Sequence, residues 1–200
     1  MSNTVTNILT INGTEEQVAE VRNFIKGSNG ESISLQSIIP MPKKLRGKKM
    51  IEIKGLSISP DEEPITIPDW MDWRLKNWGP KWDAEPVQDE DDDAPNRIIF
   101  YTADVSPLHA MTFLSKRFPA LTFHVIFSDE YEDSYCGEYT LTGGEAANVV
   151  WYDAWVPEHN NLPIDQVMEY YFLTHEFDRA MWKKDDDGSW YRIKDEQDEE

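Results

Sequence analysis

Four of the eight tryptophans in this 200-residue chain, Trp70, Trp73, Trp78 and Trp82, fall within thirteen positions, interleaved with Arg74, Lys76 and Lys81. Indoles and cations at this density can serve two ends. They can hold a partner, because Trp and Arg dominate interface hot spots and a cation over an indole face is an attractive pair. They can also build an interior, with large rings wedged onto a sheet and Gly79 permitting close backbone approach. The first reading assigns Asn77, Trp78, Lys81, Trp82 and Asp83 to a binding surface, and the second packs the same rings inside. Single-stranded nucleic acid stacks on such rings elsewhere, but the surrounding acid argues against it here.

Charge narrows the partner. The chain carries 38 acidic against 19 basic residues, a formal net charge of −19. Such a field repels phosphate backbones and anionic lipid headgroups, so direct contact with nucleic acid or membrane is not expected. A protein with a basic surface is the natural complement. The acids are clustered: Asp89, Glu90, Asp91, Asp92 and Asp93 form one run, and Asp129, Glu130, Glu132 and Asp133 a second. Further acids stand at Asp185 to Asp187 and Asp195 to Glu200. Runs of like charge ordinarily make solvated loops. Their functional reading is mimicry of a nucleic acid, since duplex DNA carries a charge about every 1.7 Å of axis and carboxylates at similar spacing suit the same basic groove.

Catalytic and metal signatures fail in turn. The acidic runs lack the alternating spacing and terminal glutamate of a calcium loop. His109, His124, His159 and His175 are scattered with no H-E-x-x-H pair, and His175 beside Glu176 reads as a surface or interface residue. There is no glycine-rich phosphate loop and no G-x-S-x-G elbow, and Cys136 has no histidine near it in sequence to activate it. As the only cysteine, Cys136 reads as a buried structural thiol and excludes an internal disulfide or a cysteine-ligated cluster within one chain. No metal or cofactor is expected, and a binding protein is favoured over an enzyme. No segment reaches the ~20 apolar residues of a membrane span and Met1 to Thr4 lacks a signal-peptide pattern, so the cytosol is the expected compartment.

The elements that must position these residues follow from pattern. Val5 to Ile11 predicts a strand, closed by Asn12-Gly13. Thr14 and Gln17 fit a capping box opening a helix with Val18, Val21 and Ile25 on one face. Ile33, Leu35, Ser37 and Ile39 alternate as in a half-buried strand before Pro40. Residues 43–96 read as a long insertion that holds a short helix beginning at Asp69, stopped by Gly79-Pro80, and then the acidic loop. Arg97 to Ala103 predicts a strand. Ser106-Pro107 is an N-cap for a helix carrying Leu108, Met111, Leu114 and Phe118, followed by strands at Leu121 to Phe127 and Cys136 to Leu141. Two β-α-β units in one sheet give an α+β, ferredoxin-like βαββαβ sandwich over residues 1–150, with both helices on one face. Residues 151–200 predict a C-terminal extension, helical from Pro163 to about Trp182, with an acidic tail.

With those elements placed, the chain resembles the YubB-type family of phage- and plasmid-borne proteins of unknown function. The resemblance lies in Asn7 to Gly13, in Asn77-Trp78-Gly79-Pro80-Lys81-Trp82-Asp83-Ala84, and in the stretch Phe100 to Glu138 with its Tyr101-Thr102-Ala103, Ser106-Pro107 and Cys136-Gly137-Glu138-Tyr139. Asn-Trp-Gly-x-Lys-Trp is its most specific motif; family members carry Thr or Ser at the position of Pro80. The resemblance implies a ferredoxin-like topology, a mobile-element origin and no established activity. The expected role is therefore non-catalytic binding of a host protein, inhibiting a nucleic-acid-handling or defence enzyme through the acidic surface. The alternative is a small-molecule or nucleotide-binding protein, including a hydrolase, with its pocket at the tryptophans.

Overall fold

β1 (Thr4–Asn12) is the axis of the molecule, flanked by β5 (Arg97–Ala103) on one side and β6 (Thr122–Asp129) on the other. The computed structural model describes residues 2–46, 49–53, 65–87, 94–131, 134–175 and 182–193. With β4 (Glu85–Pro86), β7 (Tyr135–Thr142) and β8 (Glu145–Asp153), these strands form a six-stranded sheet in the order β4-β5-β1-β6-β7-β8, antiparallel throughout. The chain is an α+β protein built on this sheet.

Period-two alternation decides what each face buries. Leu9 stands opposite Ile98 and Val125 in register, and with Val5, Ile11, Phe100, Phe123 and Phe127 it faces the larger core. That core is closed by α1 (Glu15–Ile25) through Val18, Val21 and Ile25, and by α4 (Leu108–Arg117) through Ala110, Met111 and Leu114. The opposite face carries Cys136 and Tyr152, which pack on Val167 and Tyr170 of α5 (Ile164–His175). Beyond α5, the hairpin of β9 (Trp182–Lys184) and β10 (Trp190–Arg192) lays Trp182 and Trp190 on Met168, Tyr171 and Phe172. α5 thus docks on the chain's own sheet. Of the helix expected from Pro163 to about Trp182, the described part is Ile164–His175; residues 176–181 and the acidic tail from residue 194 lie outside the described residues.

Local signals set several ends. The Thr14 hydroxyl accepts from the Gln17 amide at 3.3 Å while the Gln17 side chain accepts from the Thr14 amide at 2.9 Å, the reciprocal capping box. Ser106 does not cap α4. The helix starts after Pro107 with no side-chain cap, and the Ser106 hydroxyl instead pairs with the Tyr139 hydroxyl at 3.0 Å in the core.

Three expectations are corrected. Residues 33–39 are not a strand: α2 (Leu35–Ile38) is one helical turn, opened by the Ser34 hydroxyl accepting from Ser37 N at 3.3 Å. The place beside β5 that such a strand would fill is taken by β4. The strand at Cys136 to Leu141 is longer than expected, and Gly143-Gly144 turns it into β8, which crosses residue 150 and joins the proposed extension to the main sheet. The insertion, read as weakly patterned before its helix, carries a hairpin in which β2 (Met50–Ile53) and β3 (Ile65–Pro68) pair before α3 (Asp69–Asn77).

Candidate functional site

α3 supplies the tryptophan stretch. A spacing of four places Trp70, Arg74 and Trp78 on one side of the helix. The Arg74 guanidinium carbon accordingly lies 5.0 Å from the Trp70 ring centroid, 4.8 Å from Trp78 and 5.9 Å from Trp82. Burial lowers the Arg74 pKa and the charge of Asp83 opposes that shift; arginine remains a cation throughout. Asn77 closes the helix by donating its amide to the Trp73 carbonyl at 2.7 Å. Gly79 then reverses the chain at φ +100°, a left-handed conformation that glycine adopts at little cost, with the Ser106 carbonyl 3.4 Å from where a Cβ would stand.

Of the five predicted binding residues Trp78 is buried, and Asn77, Lys81 and Asp83 are partly exposed and held by partners within the chain. Trp78 is fully buried, its indole N–H donating to the Ile39 carbonyl at 2.9 Å and its ring meeting Trp73 edge-on at 5.8 Å. Asn77 is spent on the helix end. Lys81 reaches Asp104 at 2.7 Å, and its carbonyl accepts from Arg74 Nη1 at 3.2 Å. Asp83 is a cap at long range: its carboxylate accepts from the Ser34 hydroxyl at 2.9 Å and from the amides of Leu35, Gln36 and Ala84. A carboxylate at a helix N-terminus is stabilising because the first amides lack partners, and this one caps the turn of residues 35–38 together with Ser34. Only Trp82 remains presented. It is 47% exposed, leaning on Trp70 at 5.3 Å.

Trp82 borders a cleft of about 140 Å³ that also includes Asp83, Glu85, Tyr101 and residues 2–4. Sequence reasoning placed Arg74 among the interleaved cations but left it out of the binding surface, and it missed Glu85 and Tyr101. The four-residue spacing around Arg74 was a usable signal, whereas Glu85 and Tyr101 meet only through β4–β5 pairing.

The acidic clusters divide. Asp129 is not surface: it is 2% exposed and accepts from Tyr131 N at 3.0 Å, Asn3 Nδ2 at 3.3 Å and the Ser134 hydroxyl. Burial raises its pKa, and these hydrogen bonds oppose the rise. Glu130 is exposed and accepts from Thr4 N at 3.1 Å. Asp89, Glu90, Asp91, Asp92, Asp93, Glu132 and Asp133 lie outside the described residues.

Other reactive groups are internal. Cys136 is buried, its thiol pushed up to about 12 by desolvation and then by the Asp129 charge. His175 is half-buried, with Nδ1 2.9 Å from the Thr174 hydroxyl and 3.3 Å from that of Ser128. Burial lowers its pKa. The Ser128 hydroxyl is itself buried and lies 2.6 Å from Thr174 Oγ1. Among the described residues no group of His, Cys, Asp and Glu is arranged to hold a metal, and no helix is long and apolar enough to cross a membrane. Comparison with protein-family models, with curated proteins and with solved structures finds no match.

Proposed function

We propose that the protein is a non-catalytic component of a phage or other mobile element that binds a basic host protein, an acidic inhibitor of a nucleic-acid-handling or defence enzyme. The observation that carries this reading is the charge of −19, far beyond what solubility needs. The exposed Trp82 supports it by giving a strongly charged surface one aromatic anchor, the residue type that concentrates interface energy. A ferredoxin-like ancestry belongs to the same proposal. The neighbours β6, β1 and β5 with α1 and α4 on one face support it, as does the Asn-Trp-Gly-x-Lys-Trp motif shared with YubB-type proteins. The small-molecule alternative is less favoured at this site, since the cleft of about 140 Å³ is smaller than the ~300–1,000 Å³ of most ligand pockets.

The test is affinity capture from bacterial host lysate with the tagged chain, at low and high salt, read by mass spectrometry. A stoichiometric partner released by salt, and weakened by reversing the charges of Asp91, Asp92 and Asp93, is the expected outcome. Failure to capture any partner at either salt refutes the reading.

A further inference from the structure

We infer that the cleft beside Trp82 is a receptor for one arginine side chain of the partner, a proposal that rests on the reading of the chain as a binder of basic proteins. The register of β4 on β5 sets Glu85 directly opposite Tyr101. Side chains so placed have Cβ atoms about 5 Å apart on the same face of a sheet, so a carboxylate and a phenol ring stand side by side. Trp82 adds an indole, and Asp83 adds a second negative charge.

The chemistry of that wall selects a flat cation. A guanidinium is planar, stacks on aromatic faces and presents paired N–H donors that match a carboxylate, whereas an ammonium offers a point charge that is more strongly hydrated. Glu85 is the carboxylate available for it. Among the described residues Glu85 makes no ion pair, while Lys81 is held by Asp104 at 2.7 Å and Asp83 is engaged with α2 and Arg74. Size agrees as well. A cavity of about 150 Å³ holds a benzene-sized group, and the cleft of about 140 Å³ suits a guanidinium with its adjoining methylenes rather than a nucleotide. The packing inside the protein repeats the motif, since Arg74 already lies over Trp70, Trp78 and Trp82. The partner's arginine would extend that alternation of indole and guanidinium outward.

The test uses Nα-acetyl-arginine amide and its neutral isostere Nα-acetyl-citrulline amide, titrated into the full chain while the Trp82 indole N–H is followed by NMR. The signal is assigned with Trp82→Phe. A saturable shift with the arginine compound, absent with citrulline, and weakened about fivefold by Glu85→Gln, is expected for one stacked, partly exposed ion pair. Glu85 is exposed and Glu85→Gln preserves shape, so loss of folding does not intervene. Equal responses to the two compounds, or full affinity in Glu85→Gln, overturn the proposal. Lysate capture separates the two levels: a partner retained equally by wild type, Trp82→Phe and Glu85→Gln removes the cleft from recognition while leaving the partner reading intact. Arginine binding with no captured partner leaves the cleft standing and removes the host-protein reading.

Discussion

Asp83→Asn and Asp83→Ala test whether this carboxylate is a cap or a contact. The carboxylate accepts from Leu35 N at 2.5 Å, Ala84 N at 2.9 Å, Gln36 N at 3.4 Å and the Ser34 hydroxyl at 2.9 Å. Hydrogen bonds to a charged acceptor contribute about 1.5–3 kcal/mol each, against about 1 for neutral ones. Asparagine keeps one acceptor oxygen and loses the charge, so the two shorter amide bonds weaken and about 1–2 kcal/mol is lost. Alanine leaves the Leu35 and Ala84 amides and the Ser34 hydroxyl without Asp83, which costs about 3 kcal/mol because the group is part-buried. For a chain of this size each kcal/mol moves the melting temperature by roughly 2–4 °C. Calorimetry should therefore show a graded fall, a few degrees for Asn and about 10 °C for Ala, with residues 35–38 losing amide protection first. An unchanged melting temperature in both variants, together with lost partner binding, would refute the capping argument and return Asp83 to the surface.

The other expectations divide between packing and protonation. Trp78→Ala empties a fully buried site and leaves the Ile39 carbonyl without its donor; a loss of about 3–5 kcal/mol is expected by urea denaturation. Lys81→Ala, which breaks a bridge whose Asp104 side is 44% exposed, should cost less than ~1 kcal/mol. Gly137→Ala places a Cβ 2.1 Å from the Val150 carbonyl oxygen across the β7–β8 pair, so backbone must move and about 3 kcal/mol should be lost. His175 has its pKa lowered by burial, so the unfolded chain binds more protons than the folded one between that lowered value and about 6.5. Stability should therefore rise with pH through that window and fall on acidification below about 6.5. The raised Asp129 has the opposite sign at lower pH, favouring the folded state as it protonates, so wild type and His175→Gln should be compared by urea midpoint at each pH. A parallel pH dependence in the two chains would contradict the assignment to His175.

Where the governing contacts are local, the sequence carries them. The capping box of Thr14 and Gln17 lies within one turn, and the stop at Gly79-Pro80 within two residues, so both follow from residue chemistry alone. α2 fails that condition. Its alternation of Ile33, Leu35 and Ile39 is strand-like, and the cap on its helical turn includes Asp83, 49 positions from Ser34. β8 had a usable turn in Gly143-Gly144, but Ala146, Ala147 and Asn148 are poor strand formers, and Asn148 takes φ +51° near an irregularity of pairing. The candidate site was half legible: composition marked Trp82 and Asp83, while β4 supplies Glu85 from a strand of two residues that has no pattern to detect.

The same distinction bears on the charge. A net charge counts carboxylates without saying which can meet a partner. Asp83 and Asp129 are both engaged internally, one on a helix end and the other on Asn3, Tyr131 and Ser134, so neither adds a free binding group to the outer surface. Glu85 and Glu130 are exposed and close to the β1 and β5 ends. Neutralising the two sets must therefore give different results under the proposed function. Asp83→Asn should lower stability through its lost helix cap, Asp129→Asn should leave the salt dependence of partner binding unchanged, and Glu85→Gln and Glu130→Gln should reduce that dependence with stability unchanged. Stability is read by thermal melting and salt dependence by capture at two ionic strengths. If all four variants reduce capture equally at unchanged stability, recognition follows total charge rather than position, and the cleft at Trp82 loses its special standing.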